Sequence, residues 1–328
     1  MNRTGGMGDT ARGVGAVVVA SALFGGIFYL SGVIDASAEL VFGWRIVVTF
    51  ACYSLVLLLP SGRAMAQVSW AALTRTWWSP LVFGLLCALV GVQLWLFSWA
   101  PLHGHALDAS IGFLLLPLTL VIGSRVVLKS QVSTWQWVAV GIAAAAVVVN
   151  IAVTPSVSWV TFVICTGYPV YFVVRRRVGM DTPMSFGWEV AALTPVSGWL
   201  IWSGTQHPSS VAGTVALLSV GLAGAAAMAA YLAASRLLPL PLFGLLGYLE
   251  PVLLVAVAFA LGETIRGVDT VTFVLLGLAL ALLALEGYRG ASRRARGTGT
   301  PRPAAIRAED GPRSSGSHPF GRSGPLGH

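Results

Sequence analysis

Charged residues are scarce in this sequence, and their scarcity excludes an ordinary soluble domain. They make up 10% of the 328 residues, whereas hydrophobic residues make up 56% and the mean hydropathy is +0.81. A soluble domain carries about 25% charged residues. Apolar runs recur along the chain, and a membrane-spanning helix needs roughly 20 such residues. The composition therefore predicts an all-α polytopic membrane protein.

Cysteine pairs and the usual catalytic motifs are also lacking. Cys52, Cys87 and Cys165 lie inside apolar runs without metal-binding spacing, so we expect small buried hydrophobic residues there. The sequence has no G-x-x-x-x-G-K-[ST] phosphate loop, no H-E-x-x-H and no G-x-S-x-G. These absences argue against an enzyme, and we expect neither a cofactor nor a bound metal ion.

Hydrophobic runs bounded by proline, glycine or charge predict ten spanning helices. The first five form a repeat at 13–153, near 13–33, 39–59, 78–100, 106–128 and 135–153. The second five form a repeat at 157–289, near 157–174, 185–203, 211–235, 241–261 and 269–288.

The placement of basic residues supports this number of spans. With residues 1–12 in the cytoplasm, every basic residue except Arg45 and Arg266 falls on the cytoplasmic side, including the cluster at 175–177. We therefore expect both termini in the cytoplasm and the protein in the cytoplasmic membrane. The tail at 290–328 is rich in Gly, Pro, Ser and Arg, which predicts disorder and contact with anionic lipids. It lacks the features of a nucleic-acid partner.

Two repeats of five helices must enter the membrane from opposite sides, because five is odd. Such inverted repeats place a central substrate site between the halves. Pro117 and Pro251 are 134 residues apart, about half of the apolar part of the chain. Since proline cannot donate a backbone hydrogen bond, we expect matching helix breaks at these and two further prolines. The four helix-breaking candidates are Pro117, Pro169, Pro195 and Pro251.

Charges inside the spans are the main candidates for a site, because a charge at the bilayer centre costs about 2.5–3.5 kcal/mol on insertion scales. Glu250 lies well inside the ninth span, beside Tyr248 and Pro251. It is expected to contact substrate or accept a proton; the alternative is a protonated carboxyl that joins two helices. Arg45 does not share a helix face with Glu39, and it either faces a cavity or pairs with another helix.

Weaker candidates lie nearer the span ends. Glu189, about one turn into the seventh span, is either a gate or an interfacial residue. Asp108 begins the fourth span, followed by Ser110, and is interpreted as an outer lip or cap rather than an active centre. Gln93 and Tyr171 are further polar residues in apolar spans. The expected translocation residues are Arg45, Gln93, Asp108, Ser110, Tyr171, Glu189, Tyr248 and Glu250.

Several motifs resemble those of the RarD-type permeases, in the EamA family of the drug/metabolite transporter superfamily. The specific stretch is Phe97-x-Trp99-Ala100, His105-x-Leu107-Asp108-Ala109-Ser110-Ile111-Gly112-Phe113 and Pro117-Leu118. Weaker matches are Arg45, Tyr171 before the arginine cluster, Glu189 with Pro195, Tyr248-x-x-Pro251 and Gly262-Glu263. The resemblance implies ten helices in two inverted repeats that move small metabolites or drugs.

Two departures from the family pattern stand out. The family usually has Glu at the position of Asp108, and it usually has Gly-Glu where this chain has Leu128-Lys129. The second copy of that pair, Gly262-Glu263, is kept. The inner end of the fourth span is therefore expected to be held differently here.

The sequence favours a secondary transporter that moves a small organic solute by alternating access, with proton coupling through Glu250 as a hypothesis. Its expected partners are a small-molecule substrate and the lipid bilayer. One alternative is a structural or assembly protein, which a tightly packed bundle around Arg45 and Glu250 would favour. A membrane-embedded enzyme would need a cluster of nucleophile, base or metal ligands, which the sequence does not supply.

Overall fold

A computed structural model shows an assembly of α-helices joined by short connections. It describes residues 7–74, 76–129, 131–153, 158–180, 183–204, 208, 210–238, 243, 246–264, 270–283 and 285. The predicted tail at 290–328 lies outside the described residues. The helices are α1 Met7–Val33, α2 Ala38–Val56, α3 Pro60–Leu73, α4 Ser79–Leu102, α5 Ala106–Leu128, α6 Thr134–Val153, α7 Trp159–Val178, α8 Pro183–Ser203, α9 Val211–Leu237, α10 Leu249–Ala260 and α11 Thr270–Leu283.

Five of the described helices are long and apolar enough to cross a membrane. They are Asp9–Val33 within α1, α2, α4, α5 and Val211–Tyr231 within α9. Shorter apolar helices occur at Thr134–Val149, Leu249–Ala260 and Thr270–Leu283. The protein is thus a multi-pass membrane protein, and each apolar run predicted to span the membrane contains a helix.

Several of the helix pairs follow a symmetric pattern, although α4 also packs on α1, α2 and α5 without comparably extensive packing of α9 on α7, α8 or α10 among the described residues. In this pattern α1, α2, α4 and α5 correspond to α7, α8, α9 and α10. The contact of α1 with α9 matches that of α7 with α4, and the contact of α5 with α7 matches that of α10 with α1. The contact of α2 with α9 likewise matches that of α8 with α4. Two further pairs, α2 with α8 and α5 with α10, join equivalent helices of the two predicted repeats. Exchanging α1, α2, α4 and α5 with α7, α8, α9 and α10 therefore maps these contacts onto one another.

Small residues allow the closest of these approaches. A Cβ atom at Gly112 of α5 would lie 2.9 Å from Cβ of Ile164 in α7, and one at Gly221 of α9 would lie 2.5 Å from Cβ of Val48 in α2. Helices in membranes associate largely through such close van der Waals packing. The two glycines thus hold α5 against α7 and α9 against α2.

The helix α3 was not among the predicted spans. It begins with a proline at its first turn, and a stripe of small and apolar residues, including Ala66 and Leu73, is buried. Val68 and Trp70 are exposed, and the Trp70 ring lies 5.0 Å from the Trp188 ring of α8. A search for long apolar runs misses α3 because the helix is only moderately hydrophobic. Its buried residues recur every three or four positions, which is the spacing of an amphipathic helix.

The prediction that four prolines break their helices was wrong for three of them. Pro117, Pro169 and Pro195 lie inside α5, α7 and α8, and each helix continues through its proline. In membrane proteins a proline inside a helix is commonly tolerated, because neighbouring helices, side chains or local backbone adjustments satisfy the freed carbonyl. Among the described residues, the ninth predicted span contains an interruption: a turn at Gly247–Tyr248 precedes α10, so that Pro251 is the third residue of a new helix.

Candidate functional site

Arg45 is a buried cation in the middle of the bundle. Its side chain projects from α2 and is 5% exposed, and its Cζ atom lies 5.0 Å from the centre of the Phe97 ring of α4. Gly224 of α9 faces it, where a Cβ atom would be 3.4 Å from Arg45 Nε. The Nη1 atom is buried and has no hydrogen-bond partner among the described residues. Arg45 therefore holds free N–H donors inside the protein.

Glu250 places a carboxyl group within electrostatic range of Arg45. It lies in the first turn of α10, immediately after the interruption at Gly247–Tyr248, and it interacts electrostatically with Arg45. No direct salt bridge joins the two described side chains. Glu250 keeps some accessible surface although it lies deep among the helices. The two side chains therefore interact electrostatically without a direct salt bridge.

Aromatic side chains form a wall beside these charges. The Phe97 and Phe113 rings lie 5.7 Å apart, and Phe113 is 5.6 Å from Tyr168 of α7. Tyr168 interacts electrostatically with Arg45 and Glu250, and Tyr231 of α9 interacts with Glu250. Neither tyrosine was among the predicted site residues. The signal for Tyr168 was a polar group beside Pro169 in an apolar span, whereas Tyr231 had no distinguishing signal.

Tyr248 was expected beside Glu250 in the central site, and the structure places its side chain elsewhere. It packs with a cluster from α5, α6 and α11, and it lines a cavity of about 360 Å³ with Leu114, Val255, Phe273 and Leu280. Because the chain turns at Gly247–Tyr248, neighbours in sequence point to different surroundings. This apolar recess is distinct from the pair formed by Arg45 and Glu250.

Glu189 is fully buried and joined to α7 by two contacts. Its Oε2 atom accepts a hydrogen bond of 2.6 Å from the Tyr171 hydroxyl and lies 3.4 Å from Arg175 Nη1, which also donates to that hydroxyl. Arg175 further donates from Nε to the Met180 carbonyl at 3.2 Å. Arg175 belongs to the arginine cluster that is predicted on the cytoplasmic side, and it is 7% exposed because the final turn of α7 points it at α8.

Gln93 and Ser110 make internal contacts. Gln93 of α4 is buried and donates from Nε2 to the Val163 carbonyl of α7 at 2.8 Å, while its Oε1 atom has no partner among the described residues. Ser110 donates to the Ala106 carbonyl at 2.8 Å within its own helix. Gln93 therefore joins two helices, and Ser110 does not reach the central charges.

Asp108 lies at the end of the bundle predicted to be extracellular. It pairs with His105 at 2.7 Å, and its carbonyl accepts a hydrogen bond of 2.7 Å from Thr161 of α7. Glu263, which follows α10, accepts hydrogen bonds from the backbone N–H groups of Ala106 and Leu107 at 2.6 and 2.7 Å. Glu263 thus caps α5 from the other half of the chain.

Removing this cap is expected to destabilise the protein. Glu263→Ala leaves two helix-terminal N–H groups without their acceptor and should lower the free energy of unfolding by about 1–2 kcal/mol. Glu263→Gln keeps one acceptor oxygen and should cost about half as much. Thermal unfolding in detergent measures both, and an alanine variant as stable as the parent would show that the cap contributes nothing.

The described residues contain no cluster of three or more His, Cys, Asp or Glu side chains able to hold a metal ion. Cys52, Cys87 and Cys165 are free thiols within the part of the chain that the structure describes.

Comparison with known proteins finds relatives named as an uncharacterized transporter and as RarD. A Pasteurella multocida protein named uncharacterized transporter PM1281 is 35% identical over 86% of this chain and 99% of its own. A Pseudomonas aeruginosa protein named chloramphenicol-sensitive protein RarD is 36% identical over 77% of this chain and 85% of its own. No protein-family profile matches the chain.

One solved structure has a similar fold. This crystal structure aligns with a TM-score of 0.55 over 86% of this chain and 98% of its own, at 17% identity. At that identity the likeness concerns the fold alone.

Proposed function

The chain belongs to the RarD-like family of membrane transporters, and from this premise we propose that it is a secondary transporter. It moves a small organic solute across the cytoplasmic membrane by alternating access. The observation that carries this proposal is the buried Arg45, whose Nη1 atom has no hydrogen-bond partner among the described residues and which interacts electrostatically with Glu250. Burying an unpaired guanidinium is costly, and such residues mark solute pathways in membrane proteins.

The proposed architecture is ten spans in two inverted five-helix repeats with both termini in the cytoplasm. The symmetric pattern of helix packing supports it, since α1, α2, α4 and α5 exchange with α7, α8, α9 and α10. The distribution of basic residues supports the orientation. Arg45 comes from the first repeat and Glu250 from the second, so a solute held between them touches both halves.

The test is uptake into liposomes that contain the purified protein. The screened solutes are amino acids, nucleobases and amphenicol drugs, each with and without a pH gradient. We expect saturable accumulation of at least one class, which Arg45→Gln abolishes. Accumulation no greater than in empty liposomes for every class would overturn the proposal.

Glu250→Gln tests whether Glu250 carries the coupling proton. The amide keeps the size of the side chain but cannot exchange a proton near neutral pH, so a pH gradient should no longer drive accumulation. Downhill exchange of solute should persist, because it needs no net proton movement. If the variant accumulates solute normally at every pH tested, Glu250 does not couple transport to protons.

A further inference from the structure

We propose that Glu263 is a gating residue, which keeps the extracellular side closed by binding α5 and must release α5 before that side can open. This inference rests on the proposed transport function and adds a gate to it. The observation behind it is a contact between the two predicted repeats. The Glu263 carboxylate accepts hydrogen bonds from the Ala106 and Leu107 N–H groups at 2.6 and 2.7 Å, and we call this contact the outer latch.

The outer latch provides the side-chain cap of α5. His105, at the N-cap position, makes no capping hydrogen bond with its own side chain, so Glu263 from the second predicted repeat supplies the acceptor. A carboxylate at a helix N-terminus interacts favourably with the helix dipole, and hydrogen bonds to a charged acceptor are stronger than neutral ones. Separating Glu263 from the start of α5 therefore requires breaking two strong hydrogen bonds.

Close packing accompanies the outer latch at the same end of the bundle. Leu261, at the end of α10, lies against Gly32 of α1, where a Cβ atom would be 2.7 Å from Leu261 Cδ1 and 3.2 Å from Pro101 Cβ of α4. Ser31 of α1 and Ser98 of α4, which lie near this end, are each 0% exposed. Helices of both predicted repeats are therefore packed together at the predicted extracellular end.

The opposite end of the same helix pair differs. Pro117 and Pro251 are 134 residues apart, and Lys129 precedes Glu263 by the same number, so Lys129 is the equivalent of Glu263 in the first predicted repeat. An ammonium group cannot accept a hydrogen bond from a backbone N–H group. The start of α10 has no side-chain cap among the described residues. The latch thus acts at one end only and favours the state that is closed to the extracellular side.

Labelling of buried cysteines tests the gate in intact cells that produce the full-length protein. The three native cysteines are replaced by alanine, and one cysteine is introduced by Ser98→Cys or Ser31→Cys. Both serine hydroxyls lack a hydrogen-bond partner among the described residues, so the replacements break no hydrogen bond there. A membrane-impermeant maleimide added outside the cells reaches these thiols only when the extracellular end opens.

Glu263→Ala is expected to raise the labelling rate of both cysteines about tenfold, because opening no longer breaks two hydrogen bonds to a carboxylate. Glu263→Gln keeps one acceptor oxygen and should raise the rate about threefold. If the alanine variant does not fold, the glutamine variant decides the proposal. Unchanged labelling of both cysteines would overturn it.

Glu39→Ala is the matched control. Glu39 is also an acidic residue at the predicted extracellular end, but its carboxylate accepts a hydrogen bond from Trp95 Nε1 at 3.3 Å and so joins α2 to α4 within the first predicted repeat. Its replacement should leave the labelling rates unchanged. An increase as large as that for Glu263→Ala would show that loss of any carboxylate loosens this end, and the outer latch would be wrong.

A cysteine at the opposite end separates gating from general loosening of the bundle. Ser185 is 1% exposed near the start of α8, at the predicted cytoplasmic end. In inside-out vesicles, Glu263→Ala should not raise the labelling rate of Ser185→Cys, because the latch holds the other end. A rise as large as at the extracellular end would overturn the proposal. None of these measurements needs a solute, so the liposome screen still decides separately whether the protein is a transporter.

Discussion

Replacing Arg45 with glutamine is expected to abolish solute transport while the protein still folds. The Arg45 side chain is buried, and its Nη1 atom has no hydrogen-bond partner among the described residues. Replacing Arg45 therefore breaks no direct salt bridge among those residues. A charge-assisted hydrogen bond to a ligand contributes about 1.5–3 kcal/mol, which corresponds to roughly a 10- to 100-fold loss of affinity. Initial rates of uptake into liposomes measure the effect.

Two controls make this experiment specific. Arg45→Lys retains the charge but not the planar donors, so we expect partial activity. Arg63→Gln removes an exposed arginine of α3 and should transport like the parent protein. Equal uptake by Arg45→Gln and the parent would remove Arg45 from the solute pathway.

Among the single replacements proposed here, Glu189→Ala is expected to lower the free energy of unfolding the most. It leaves the Arg175 guanidinium buried beside the Tyr171 hydroxyl without its carboxylate. Breaking a buried ion pair by removing one partner costs about 3–5 kcal/mol. Thermal unfolding in detergent, together with the yield of monodisperse protein, measures this loss.

A double replacement tests whether the loss of stability comes from removing the Glu189 carboxylate beside the Arg175 guanidinium. Glu189→Met combined with Arg175→Met removes both charges and should be more stable than Glu189→Ala, because it leaves no buried guanidinium that has lost its carboxylate. Tyr171→Phe removes only one hydroxyl and should cost about 1–2 kcal/mol. If the double variant is the least stable of the three, packing rather than charge pairing explains the role of Glu189.

Helix positions were the most predictable part of the fold. The predicted span 106–128 coincides with α5 at Ala106–Leu128, and the predicted span 185–203 differs from α8 by two residues. Long apolar runs specify helices locally, since backbone groups in a membrane must form their hydrogen bonds within the segment. The amphipathic α3 was missed because it is neither long nor uniformly apolar.

The sequence predicted the charged residues of the candidate site better than the aromatic residues that surround them. Arg45 and Glu250 stand out in sequence because charges are rare in apolar spans. The sequence could not show that Tyr168 and Tyr231 accompany Glu250 while Tyr248 lines a separate recess. The direction of a side chain depends on the turn at Gly247–Tyr248 and on which helix packs beside it.

The sequence by itself determined that this is a helical membrane protein with isolated charges in apolar surroundings, because hydropathy and the cost of burying charge act locally. Only the tertiary structure decided which charges meet. Arg175, which the sequence places just beyond a predicted span, is the ion-pair partner of Glu189 in the structure. Glu263 caps α5, which begins 157 residues earlier in the chain. Such pairings depend on how helices distant in sequence approach one another, and close packing at small residues such as Gly112 decides that approach.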